Sequence, residues 1–423
     1  MIQRLKPNSD FSRNVLTLMT GTTIAQAIPI AISPILTRIY SPADFGLFAL
    51  FIAITSIFGS IANGRYELAI MLPKKDEDAI NIVALGFIIT SIMSITLLLF
   101  VVIFNDFFTN LLNNEEIALW LYFVPLTVFF TGFWNVLNYF HNRKKMYKEI
   151  ANATILKSII LTILQLTLGF MKQGAFGLMT GQMASQLFST TRLFINILKE
   201  KSLIEKISKV KIIGLAKRYK NFPKFSMWAV LANTSSTHVT NILISSFFNM
   251  ATLGFYSLVQ RVLAAPSTLI GAAVGQVFFQ EATKERHKTG KAVKSFDGTI
   301  KKLFFIGVPS FGILFFFVED IFSIVFGEEW LVAGTYAKTL MPLFFIRFVV
   351  ATVSHINNVF ELQKLALIWQ LTLLFLSVGS LVFAKCYLLN FESFLVLFTT
   401  VVSLHYVALF FIMRIVSRKG YFL

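Results

Sequence analysis

Apolar residues in this chain run in blocks of about twenty, parted by short polar stretches that hold most of its charge. Wound as a helix at 1.5 Å per residue, such a block crosses the roughly 30 Å of hydrocarbon in a bilayer. Twelve blocks can be read: 14–39, 45–63, 80–104, 118–139, 150–169, 175–198, 225–248, 254–279, 303–320, 337–359, 366–384 and 393–413. Each is expected to be helical, because lipid offers the backbone no partner and the pattern is not that of barrel strands. The pattern thus predicts an all-α polytopic membrane protein with twelve transmembrane helices. The longest polar stretch, 199–224, is too short for a soluble catalytic domain, so function is expected within the bilayer.

The blocks divide six and six about that stretch. LTRIYSPADFGLFAL at Leu36–Leu50 has a weaker copy in ISSFFNMATLGFYSL at Ile244–Leu258. Ala43 registers with Ala251, Gly46 with Gly254 and Leu50 with Leu258, and aromatics match at Tyr40/Phe248 and Phe48/Tyr256. A second echo joins Asn138-Tyr139-Phe140 to Asn358-Val359-Phe360, each after a Pro-Leu pair (Pro125-Leu126, Pro342-Leu343) and before a lysine (Lys144, Lys364). An internal repeat follows: an N-terminal six-helix bundle at 1–198, a basic cytoplasmic linker at 199–224 and a C-terminal six-helix bundle at 225–423.

Composition agrees. Of 423 residues 56% are hydrophobic and only 14% charged, against about 25% charged in soluble domains. The net charge of +17 would suggest nucleic acid in a soluble protein, but its placement decides otherwise. Thirty of the 38 Lys and Arg lie in the N-terminus, 64–79, 140–149, 199–224, 280–302, 360–365 and the C-terminus; the opposite loops hold only Arg38, Lys172, Lys338 and Lys385. By the positive-inside rule both termini are cytoplasmic. The N-terminal run lacks a convincing cleavage site and reads as a first span, not a removable signal. One cysteine, Cys386, excludes an internal disulfide and a cysteine-built metal site.

Ionisable groups inside spans are costly and mark function unless they snorkel to the interface. Arg347 falls near mid-bilayer, where snorkelling is hard; the alternative role is a structural pair with a neighbouring helix. Arg261 lies roughly 10 Å deep at 1.5 Å per residue. Lys157 and Arg192 lie nearer cytoplasmic ends, and Arg38 at an outer end reads equally as an interface anchor. In GRYELAIMLPKKDEDA, Arg65 and Glu67 stand where span two meets the cytoplasm. Two residues apart on a helix they face differently and are not expected to pair. Glu67 is then a proton or cation site, or the partner of an arginine elsewhere; the following PKKDED reads as a solvated turn. His238 is a packing residue or a proton relay. Pro29 and Pro34 interrupt span one as a gating element or as a fixed kink.

There is no HExxH, no GxxxxGK[ST], no outer-loop DxD and no histidine cluster, so no metal, cofactor or catalytic residue is expected. Buried cations without acids at like depth suit an anion, and the guanidinium fork suits phosphate. A multidrug antiporter, which would need buried acids for cationic drugs, and a membrane polysaccharide polymerase or ligase, which would need larger outer loops, fit less well. A structural scaffold would have no use for mid-bilayer arginines.

LTRIYSPADFGLFALF, GRYELAIMLPKKDEDA and FGEEWLVAGTYAKTLMP (Phe326–Pro342) together resemble the Wzx-type O-antigen/oligosaccharide flippases. These form the polysaccharide-transporter branch of a superfamily that also holds multidrug exporters and peptidoglycan-precursor flippases. The resemblance implies two six-helix bundles facing a central cationic cavity. It implies alternating-access transfer of undecaprenyl-diphosphate-linked oligosaccharide from the cytoplasmic to the periplasmic leaflet of a bacterial inner membrane. By the same resemblance Arg65, Arg261 and Arg347 are expected at cavity positions, and a polysaccharide polymerase and a chain-length regulator are expected partners.

Overall fold

The computed structural model describes residues 10–420, and every regular element within them is helical. The order is α1 (Asp10–Ile39), α2 (Pro42–Gly59), a 3-10 turn (Tyr66–Met71), α3 (Asp76–Leu112), α4 (Ile117–Leu121), α5 (Val124–Arg143), α6 (Tyr147–Phe170) and α7 (Ala175–Leu198). There follow α8 (Lys201–Ile204), α9 (Lys209–Arg218), a π turn (Phe222–Ser226), α10 (Met227–Phe247), α11 (Met250–Pro266), a second π turn (Ser267–Gly271) and α12 (Ala272–Thr289). The chain closes with α13 (Val293–Phe326), α14 (Leu331–Val353), α15 (Ile356–Val359), α16 (Gln363–Cys386) and α17 (Phe391–Lys419).

Among the described residues nine helical segments are long and apolar enough to cross a membrane. The three expected blocks outside that set, 175–198, 225–248 and 254–279, are helical as α7, α10 and α11–α12. They fall short because Ser, Thr, Asn and Gln interrupt them, or because a π turn divides the run. Arg4 and Lys6, part of the orientation count, lie outside the described residues.

The chain divides into two compact units, Met1–Thr234 and Ser235–Leu423. In the first, α6 packs between α1 and α7. Pro29 lacks the N–H that would bond Ala25 O four residues back; Ser158 on α6 donates to that carbonyl instead, at 2.7 Å. The backbone at Pro29 is thus tied to a neighbouring helix. Tyr40 donates its hydroxyl to Gln165 O at 2.6 Å, and a Cβ at Gly177 would collide with that hydroxyl. Residues 199–224 fold onto the first unit. Buried Asn81 donates to Lys206 O at 3.0 Å and accepts from Ser208 N at 2.8 Å, while Tyr66 donates to Ala216 O at 3.0 Å. Ile212 and Ala216 pack against a core of Tyr66, Ile82, Leu137 and Leu193 that includes Leu215.

The second unit is organised by α14, which packs against α11, α13 and α17. Tyr256, Tyr336, Phe391 and Phe394 form an aromatic cluster there, Tyr336 and Phe391 with centroids 4.8 Å apart. The stretches that read as copies share their local structure. At each a helix ends, two residues intervene and a capped helix begins: Ser41 Oγ accepts from Asp44 N at 3.2 Å, and Asn249 Oδ1 from Thr252 N at 2.8 Å. Both caps stand at the same place in the register. Side chains that accept from free N–H groups fix where helices start.

Candidate functional site

Arg347 lies within α14 of the second unit. Its helix neighbour Phe344, three residues back, and Tyr406 from α17 present their rings to the guanidinium, with centroids 5.3 and 5.8 Å away. Among the described residues Arg347 makes no hydrogen bond and no ion pair. It opens on a cavity of about 50 Å³, room for a few waters. Ser236, Thr237 and Thr240 of α10, Tyr256 and Gln260 of α11, and Ser377 of α16 also line it. Next to it Trp369 stacks on His405, centroids 5.3 Å apart, and meets Tyr406 edge-on.

The arrangement follows from residue chemistry. Ring faces attract a guanidinium, by about 2 kcal/mol when water is excluded, yet they take none of its N–H donors. The result is a fixed positive charge with its donors uncommitted, amid neutral hydroxyls and an amide. Such a site suits an oxyanion flanked by hydrogen-bonding groups. The sequence singled out Arg347 by depth but missed Tyr406, Tyr256 and Gln260. The one local signal was Phe344, three residues before Arg347 and so on the same helix face.

Other expected residues lie elsewhere. Arg261 and His238 neighbour Gln260 and Thr237 in sequence, yet neither lines the Arg347 cavity. His238 Nδ1 is buried without a partner among the described residues. In the first unit Lys157 sits beside Ser158 on α6, with no ion pair among the described residues. Arg192 is 3.6 Å from Glu149, which also accepts from Asn196 at 3.3 Å. Arg38 occupies the last turn of α1.

The expectation that Arg65 and Glu67 do not pair is corrected: Arg65 Nη1 lies 3.0 Å from Glu67 Oε1. Gly64 and Arg65 both take positive φ, +56° and +66°, so the chain reverses before the 3-10 turn and helical face spacing does not apply. The Glu67 side chain is 3% exposed and that of Arg65 22%. Burial pushes the Glu67 carboxyl above its usual range, a shift that Arg65 partly opposes. Its Oε2 has no partner among the described residues. The charged residues of PKKDED are exposed as expected, Asp76 and Glu77 by 40% and 41% of their side chains, but these two acids are also engaged. Asp76 accepts from Arg143 Nε at 2.9 Å and Lys144 Nζ at 2.6 Å, and Glu77 pairs with Lys211 at 3.1 Å. Those partners are remote in sequence and show only once the fold is known. Among the described residues no cluster of His, Cys, Asp or Glu could hold a metal.

Comparison with known proteins gives the family and the fold. Residues 35–334 match the family model described as polysaccharide biosynthesis protein. The chain belongs to that family. Similar solved structures include the lipid II flippase MurJ in an inward closed conformation, with TM-score 0.68 and 14% identity over 96% of this chain and 90% of that one. They include a multidrug resistance MATE family transporter in an inward-facing conformation (TM-score 0.65, 13% identity, 96% and 95% covered). A MOP superfamily transporter from Pyrococcus furiosus is similar as well (TM-score 0.63, 14% identity, 96% of each chain covered). No curated protein matches the sequence at a significant level. This member of the polysaccharide biosynthesis protein family thus has the fold of MOP superfamily transporters.

Proposed function

We propose that this protein is a flippase that moves an undecaprenyl-diphosphate-linked oligosaccharide repeat unit, for O-antigen or a related surface polysaccharide, from the cytoplasmic to the periplasmic leaflet of a bacterial inner membrane. The observation that carries the reading is Arg347, a cation seated on aromatic rings that lines a cavity together with hydroxyl side chains. An oxyanion of the lipid-linked substrate is the group such a cation binds. Of the other cations singled out by the sequence, Arg261 adds positive charge in the same unit as Arg347, and Lys157 and Arg38 in the first unit, where Arg65 and Arg192 are engaged by Glu67 and Glu149.

In this reading the chain has twelve spans in two repeated bundles, with both termini cytoplasmic, and works by alternating access. The polarity of α10 and α11 supports counting them as spans. Their Ser236, Thr237, Thr240, Tyr256 and Gln260 line the cavity, and a helix that lines a hydrated path has no need to be apolar throughout. Glu67 is the first candidate for coupling to a proton or cation, its carboxyl buried and Oε2 without a partner among the described residues. His238 is the second candidate for that role.

The test is complementation of a strain lacking this gene. Arg347→Ala, produced at wild-type level, is expected to leave surface polysaccharide lost. Full restoration by Arg347→Ala would remove this cavity from the transport path. Drug sensitivity of the deletion strain with normal polysaccharide would instead mark a multidrug exporter.

A further inference from the structure

The segment Lys206–Trp228 carries seven Lys and Arg and no acid. Its middle, α9 (Lys209–Arg218), is a two-sided helix packed on the first unit. One side of α9, formed by Ile212, Leu215 and Ala216, is spent on the core with Tyr219 and Phe222 beyond it. The other side of the helix exposes Lys209, Val210, Ile213, Lys217 and Arg218, and exposed Lys206 and Ile207 stand just before it. Val210 is 80% exposed, and Ile213 and Ile207 are exposed as well. Beyond the helix Lys220, Lys224, Phe225 and Trp228 are exposed too.

A helix facing water alone has no reason to bury one apolar side and offer a second, ringed by lysines. An apolar centre with a basic border is the pattern of a helix lying in a headgroup layer, its aliphatic residues in the acyl boundary and its cations among lipid phosphates. The position fits. α9 packs at the start of α3, where a membrane-spanning helix begins at Asp76. Phe225 and Trp228 are residues that favour the same interface. The helix is also tied down from below: Asn81 holds Lys206 and Ser208, Tyr66 holds Ala216, and Lys211 meets Glu77. Its outer face is therefore presented at a fixed height and does not depend on folding at the surface.

We infer that α9 is an interfacial anchor whose exposed basic-apolar face binds the anionic phospholipid surface of the bilayer that holds the protein. Each lysine near a charged bilayer adds attraction that salt screens within about 10 Å at 0.1 M. Binding is thus expected to need anionic lipid and to weaken with ionic strength. Lys211, committed to Glu77, contributes least.

The lone cysteine makes the test direct. Full-length Cys386→Ser carrying Val210→Cys is labelled with an environment-sensitive fluorophore and placed in nanodiscs. The discs are of phosphatidylcholine alone or with 40% phosphatidylglycerol. The expected result is a blue-shifted emission in the anionic discs only, quenched by lipid-borne quenchers and reversed by 0.5 M salt. Replacing Lys206, Lys209 and Lys217 together by Gln is expected to remove the difference between discs. Emission characteristic of water in both discs would overturn the inference. So would a blue shift seen only after adding soluble cell proteins, which would mark a protein partner. An equal blue shift in both discs, unchanged by salt, would overturn the requirement for anionic lipid.

Discussion

In the first unit Arg65, Arg143, Lys144, Arg192 and Lys211 each reach a carboxylate within 3.6 Å. In the second, Arg347 reaches none among the described residues and rests between Phe344 and Tyr406. Both arrangements offset the cost of taking a guanidinium out of water, but they leave different groups behind. A carboxylate neutralises the charge and takes up its donors. Aromatic faces stabilise the charge and leave the donors available. The first arrangement builds structure; the second keeps a cation ready for something that arrives. The division is not one of whole units, since Lys338 meets Glu319 at 2.9 Å in the second.

The comparison breaks most visibly at the buried pair. Arg65→Gln leaves the Glu67 carboxylate enclosed without its cation, and about 3 kcal/mol of stability is expected to go, read from the thermal midpoint in detergent. Glu67→Gln should cost less, because the more exposed Arg65 can turn to water. The pH dependence has a definite sign. The folded carboxyl is held above its unfolded value, so the folded state binds the extra proton. The Glu67 contribution is fully present below the ordinary carboxylate pKa and is lost as pH rises through the raised one. Arg65→Gln should steepen that decline, acid should partly rescue it, and Glu67→Gln should flatten it.

Arg347 is expected to behave in the opposite way. Arg347→Gln should reduce flipping by about 10- to 100-fold, the worth of about 1.5–3 kcal/mol for hydrogen bonds to a charged group. Its thermal midpoint should stay close to wild type, and Arg347→Lys, which keeps the charge without the fork, should fall between. A large loss of stability in Arg347→Gln would place it with the structural pairs. Ser158→Ala, which leaves Ala25 O without its donor at the Pro29 kink, is expected to cost about 1–2 kcal/mol. Smallest of all, Lys211→Gln at the exposed Glu77 pair should leave the midpoint unchanged, since surface pairs contribute little.

Much of the fold could be read from the chain because lipid restricts its solutions. Apolar runs of spanning length must be helices, and their ends followed the Ser41 and Asn249 caps. Harder to read were the helices whose polar faces line a cavity, since Ser236, Thr240 and Gln260 lower the hydropathy that would flag α10 and α11. Arg347 stood out by depth, a property of one stretch of sequence. Its setting did not, because Tyr406 and Tyr256 reach it from other helices. The Arg65–Glu67 pair was misread for a different reason: two successive residues at positive φ undo any inference from helical spacing.

The most direct measurement locates the lipid-linked repeat unit in cells lacking this gene and in the same cells carrying Arg347→Gln. The leaflet is read by whether an added, membrane-impermeant sugar-oxidising reagent reaches the saccharide after the outer barrier is opened. The flippase account predicts that the unit accumulates out of reach, on the cytoplasmic leaflet, in both strains, and becomes accessible when the wild-type gene returns. Units that reach the far leaflet without the gene, single and unjoined, would contradict it and move the protein to polysaccharide assembly.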